Sequence, residues 1–201
     1  RDTGFTVTVK VPYAPGTLEA RAVDAAGTLL ASRAFTTAGA PARLRLSADK
    51  SHLSPSRDDL SYVLAEVIDA HGVLVACANE SLDSACVPPT IRFSLVGDGE
   101  IAAVGSGDPI DPSGFHAAAA DGTVPRKSYR GRATAIVRPG KGPAAAAAHR
   151  LAAPGSTAGE HAAADGRVVS SGKLTITAAA AGLESATLTL DVSSAAWSLV
   201  V

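Results

Sequence analysis

Strict alternation of apolar and polar residues recurs through the chain, and it constrains the fold more than any other feature. In residues 42–49, Ala42, Leu44, Leu46 and Ala48 alternate with Arg43, Arg45, Ser47 and Asp49. Side chains of an extended strand point alternately to opposite sides, so this pattern gives one dry face and one wet face. Residues 60–69 place Val63, Ala65 and Val67 on one face and Tyr62, Leu64 and Ile68 on the other. A strand apolar on both sides is expected at the centre of a sheet. Further strands are expected over residues 91–96, 100–104, 132–138, 173–178 and 186–192, the last with Leu188, Leu190 and Val192 inward. Those seven strands imply an all-β sandwich of the immunoglobulin-like kind.

Ahead of that unit, residues 5–11 alternate and read as a strand, followed by turn chemistry around Pro12 and Pro15. Residues 17–24, with Leu18, Ala20 and Ala22 on one face, turn at Ala25-Ala26-Gly27 and return over residues 29–37 as a hairpin. Three strands cannot close a sandwich. Residues 1–41 are therefore expected to be the last strands of another domain, with a linker at Gly39-Ala40-Pro41. Residues 42–193 form one nearly complete sandwich domain, interrupted at about 139–172 by a flexible Ala/Gly-rich insertion, and residues 194–201 are a C-terminal tail. A short helix over 144–152 is the alternative inside the insertion, permitted by propensity but offering little apolar face. The chain has no Met and opens on Arg1-Asp2-Thr3-Gly4, which reads as a piece of a larger protein.

Hydrophobic residues make up 46% of the chain and aromatic residues only 4%, so a core of Val, Leu, Ile and Ala is expected rather than one built on rings. With 18 basic against 19 acidic residues, a net charge of −1 gives nothing to attract nucleic acid or an anionic membrane. No apolar run is long enough for a membrane-spanning helix. Cys77 and Cys86 flank a polar segment that holds the only Asn, Asn79, within Asn-Glu-Ser. The spacing allows a small disulfide loop, and the tripeptide is an N-glycosylation acceptor; together they point to a secreted or lumenal protein. The alternative is two unpaired thiols and a chance tripeptide.

No catalytic constellation emerges. His52, His71, His116, His149 and His161 lack metal-ligand spacing, and no Gly-x-Ser-x-Gly elbow presents a nucleophile. Asp98, Asp108 and Asp111 lie in glycine-rich loops that offer oxygen atoms, but without a calcium-loop pattern they read as solvated turns. Glu19, Glu66, Glu80, Glu100, Glu160 and Glu184 show no pairing suited to glycoside cleavage. Gly97-x-Gly99 and Gly105-x-Gly107 precede no expected helix, which argues against a phosphate cradle. No catalytic residue, metal site or cofactor is expected. Residues 105–114 contain too many turn formers for regular structure, and Gly105, Gly107, Asp108 and Pro109 are the candidate contact residues of this loop.

The strings VPYAPGTLEA at 11–20 and TAGAPA at 37–42 resemble the end of a β-sandwich domain that follows the catalytic barrel in glycoside hydrolase family 2. ARLRLSAD at 42–49, DLSYV at 59–63, EVID at 66–69 and GEIAAVGSGDP at 99–109 resemble the next, C-terminal immunoglobulin-like domain of β-galactosidase-type members. Residues 127–137 and 172–192 extend that resemblance, which leaves out the segment around Cys77 and Cys86 and the Ala-rich insertion. It implies an accessory, non-catalytic scaffold whose partners are the remaining domains of a parent glycosidase. The barrel and its pair of retaining glutamates lie elsewhere, and carbohydrate is a further partner such an enzyme implies. Two other readings fit the strand pattern: a cell-surface adhesion domain and a carbohydrate-binding module.

Overall fold

In the computed structural model, residues 6–76, 87–140, 160–162, 168–170 and 172–193 are described. Cys77, Asn79, Cys86, the proposed helix over 144–152 and the tail at 194–201 lie outside them. The described residues contain thirteen strands and no helix. Strands β1 (Thr17–Val23) and β2 (Leu29–Thr36) pair antiparallel as the expected hairpin. Its turn is tied by Asp24, whose Oδ1 accepts the N–H groups of Ala26 (2.9 Å) and Thr28 (2.8 Å). Of the strand expected over residues 5–11, the described residues 6–11 form none despite their alternation. Alternation supplies two faces, but a strand also needs a ladder partner for its backbone groups, and no described strand pairs with this segment.

The sandwich is built from two sheets. One has the order β3 (Pro41–Ala48), β5 (Ser61–Asp69), β9 (Arg132–Pro139), β7 (Gly99–Gly105). The other runs β4 (His52–Leu53), β13 (Ala186–Val192), β12 (Gly172–Ala179), β6 (Thr90–Val96), β8 (Val124–Lys127). All neighbours are antiparallel except β4 and β13, which run parallel through Asp191↔His52 and Val192↔Leu53. The expected seven strands are joined by β4 and β8, both too short to carry a periodic signal. Within the stretch read as an insertion, β10 (Glu160–Ala162) and β11 (Val168–Ser170) pair as a small antiparallel ribbon.

The core lies between the sheets. Val63, Ala65 and Val67 of β5 and Ala133, Ala135 and Val137 of β9 are fully buried, as are Ile91 and Phe93 of β6 and Ile176 and Ala178 of β12. Among the described residues, Phe93 is the one aromatic ring whose side chain is fully buried. Strand β5 is central, between β3 and β9, as its two apolar faces require.

The linker is fastened to this unit by Asp69, buried at the end of β5. Its carboxylate accepts the N–H of Gly39 (2.8 Å) and closes the turn after β5 through His71 N–H (2.9 Å) and Val73 N–H (2.8 Å). These backbone donors, Gly39 foremost, hold the carboxyl below its usual range.

Candidate functional site

The candidate loop leaves the sandwich from β7, the edge strand of the four-stranded sheet. Gly105 closes β7 opposite Thr134 of β9, and the chain then runs through residues 106–123 before entering β8. A connection of this length without regular structure needs its own internal supports. Asp108 Oδ1 accepts Ile110 N–H (3.1 Å), Asp111 Oδ1 accepts Ser113 N–H (2.9 Å), and Asp121 Oδ1 accepts both the N–H (3.0 Å) and hydroxyl (2.6 Å) of Thr123. Gly107 takes φ +75°, a conformation that favours glycine, and Pro109 is exposed. Val104 N–H donates to Phe115 O (2.9 Å), so the returning loop covers part of the free edge of β7.

The central support is Arg126, and the sequence did not single it out. Register places it opposite Ile91, so its side chain points into the sandwich, where the residue is 3% exposed. Its NH1 donates to Asp111 Oδ2 (2.7 Å) and, more loosely, to Ser113 O (3.4 Å), while NH2 donates to Gly114 O (2.8 Å) and Val104 O (3.1 Å). Its guanidinium also lies 5.7 Å from the centre of the Phe115 ring. A single buried cation thus ties both ends of residues 104–115 and is itself neutralised by Asp111. Ser113 and then Arg126 hold the Asp111 carboxyl down at about 2. The only signal for this role in the sequence is the position of Arg126 in a short alternation with Val124 and Ser128, a pattern too brief to reveal its facing.

The calcium alternative for Asp111 is spent on this pair, and among the described residues no group of three His, Cys, Asp or Glu side chains is placed to hold a metal ion. Ile110 is 76% exposed and Phe115 64%, so the braced loop turns apolar side chains toward solvent.

Gly105 belongs to the outward face of the four-stranded sheet. Cross-strand partners share a face, which puts Ser47, Leu64, Thr134 and Gly105 in one row and Tyr62, Ile136 and Ala103 in the next. Two ion clusters flank these rows. Glu66 accepts Arg45 Nε (3.1 Å) and NH2 (2.7 Å) through Oε2 and Arg132 Nε (3.1 Å) through Oε1. Glu100 is bound by Arg138 and by Arg57 NH2 (2.7 Å). Burial pushes both carboxyls up, but the two arginines around each outweigh it and leave them below the ordinary glutamate range. A glycosidase acid needs a raised pKa, so the direction is opposite for both residues. The opposite sheet bears an open depression of about 410 Å³ lined by His52, Gly172, Lys173, Asp191, Val192 and Ser193, with no Phe, Tyr or Trp for a sugar to stack on.

Residues 44–160 match the family described as glycoside hydrolase family 2 C-terminal domain 5. The β-galactosidase BoGH2A of Bacteroides ovatus is 30% identical over 136 residues, which is 66% of this chain and 14% of that protein. A solved glycosyl hydrolase family 2 member from Bacteroides cellulosilyticus is 27% identical, with a TM-score of 0.67 over 92% of this chain and 18% of its own. A β-glycosidase from Bacteroides vulgatus, 18% identical with a TM-score of 0.63 over 90% of this chain and 18% of its own, shares the fold. The chain therefore spans less than a fifth of the length of these relatives, and it belongs to the family of C-terminal domains of glycoside hydrolase family 2.

Proposed function

We propose that this chain is a non-catalytic accessory region of a β-galactosidase-like glycoside hydrolase, a scaffold whose partners are the remaining domains of the same polypeptide. The observation that carries the reading is the state of Glu66 and Glu100. Each is locked between two arginines and held ionised, so neither offers the proton that glycoside cleavage needs. In this reading residues 1–41 complete a preceding sandwich domain and residues 42–193 are the accessory domain itself. The test is direct. The purified chain, offered a chromogenic β-galactoside, is expected to give no turnover, whereas the full-length polypeptide cleaves a β-glycoside. Robust turnover by the chain alone would overturn the assignment.

The setting proposed with it is the secretory pathway, resting on the spacing of Cys77 and Cys86 and on Asn79 in its acceptor tripeptide. A mass measurement with and without reductant and glycosidase decides this. An unchanged mass would remove both the disulfide and the glycan.

A further inference from the structure

The two outer faces of the sandwich differ in chemistry. On the five-stranded sheet the outward groups along β12 and β13 pair with one another, Thr175 with Thr189 (3.4 Å), Thr177 with Thr187 (3.2 Å), and Lys173 with Asp191 (3.3 Å), with Val96 of β6, 67% exposed, an apolar exception at the margin. That is the composition of a solvent face. On the four-stranded sheet, Tyr62, Leu64 and Ile136 stand outward instead, and Tyr62 remains 49% exposed. The clusters around Glu66 and Glu100 lie at the margins of this apolar row. Each sets two guanidiniums against one carboxylate, 2 − 1, a surplus of one positive charge. The side chains of Arg45 and Arg132 are each 48% exposed, and those of Arg57 and Arg138 are 30% and 33% exposed. Because a guanidinium carries five N–H donors, it can hold its own glutamate and serve a second acceptor.

We propose that this outward face is the surface through which the chain docks onto another domain of the same polypeptide, and that the receiving surface is apolar at its centre with carboxylates at its rim. The inference rests on the accessory reading above and adds the surface and its partner chemistry. Tyr and Arg around an apolar centre are the residues enriched where protein surfaces meet. Complementary charge names the rim of the partner. A second copy of this chain is the poorer occupant, because a two-fold contact would set the same cationic clusters against each other. The relatives, of which this chain covers 14% and 18%, extend far beyond it and have ample surface for such a partner.

Hydroxyl-radical footprinting of the full-length polypeptide and of the chain alone tests this. Tyr62 is expected to oxidise readily in the chain alone and several-fold more slowly in the full-length protein, while Tyr129 changes little. In the same full-length protein Leu64→Asp is expected to lower the melting temperature or split the transition in two. Thr177→Asp, on the opposite face, does neither, and both variants leave the melt of the chain alone nearly unchanged. Equal oxidation of Tyr62 in both proteins would sink the proposal, as would a concentration-dependent dimer of the chain that protects Tyr62. If Tyr62 is protected but the full-length protein cleaves no β-glycoside, the docking surface stands and the glycosidase reading fails.

Discussion

Arg126 does most to shape the loop that leaves β7. It is buried, its charge is met by Asp111, and its NH1 and NH2 groups also reach three backbone carbonyls. Replacing it removes the cation paired with Asp111 Oδ2 and the donors of those carbonyls at a largely buried point. Arg126→Ala is therefore expected to cost about 3–5 kcal/mol in urea unfolding, with Arg126→Lys recovering only part of the loss. The partner gives a pH signature. Asp111 titrates at about 2 in the folded chain and near the ordinary aspartate value of about 3.9 when unfolded. Its folded pKa is depressed, so its contribution is complete above pH ~4 and is lost as pH falls toward ~2. The stability difference between the native chain and Asp111→Asn is thus expected to be largest at neutral pH and to close over that interval. A difference that persists unchanged at pH 2 would remove the ion pair from the account.

At the scale of elements, the sandwich depends on what the inner faces exchange across the sheets. Strand β9 contributes Ala133 and Ala135 and β5 contributes Ala65, all fully buried, while β6 contributes Phe93. Small side chains on one sheet leave room for the bulk of the other. Phe93→Ala is expected to cost about 3–5 kcal/mol, measured as a lower urea midpoint with unchanged slope. The turn before β9 is a second constraint: Gly131 has φ +76°, and a Cβ added there would meet the carbonyl oxygen of Val75. Its own carbonyl also accepts Val67 N–H (2.8 Å), so the turn cannot simply move away. Gly131→Ala should cost about 2 kcal/mol or more, combining the left-handed backbone with the clash.

The molecule as a whole contains parts of unequal strength. The nine-stranded sandwich encloses a continuous core, whereas every residue of β1 and β2 is exposed, including Leu18 and Phe35, which face one another across the hairpin. A two-stranded ribbon without a covered face is marginal in water. In hydrogen exchange on the chain alone, the amides of β1 and β2 are accordingly expected to exchange orders of magnitude sooner than those of β5 and β9. In the full-length polypeptide, where residues 1–41 are proposed to complete another sandwich, the hairpin amides should gain protection. Equal protection in the two settings would count against that completion.

What the sequence determined by itself is the facing of side chains along single strands. Val63, Ala65 and Val67 point inward because period two is a property of the extended chain, and the same holds for Leu190 and Val192. From such facings the sandwich class follows, together with the central place of β5. Residues 6–11 mark the limit, since their alternation is as regular as that of β3 and yet no described partner completes a ladder for them. Strands β4 and β8 show the reverse, two short segments made into strands by neighbours that lie far away in the chain. The candidate loop was legible through its turn formers, but its anchorage was not: that came from Arg126, which no pattern in the sequence singles out. The arginine clusters around Glu66 and Glu100 were equally hidden, because they join residues 21, 66, 43 and 38 positions apart. Periodicity is local and written in the chain, whereas strand pairing and the neutralisation of charge depend on which distant residues the folded sheets bring together.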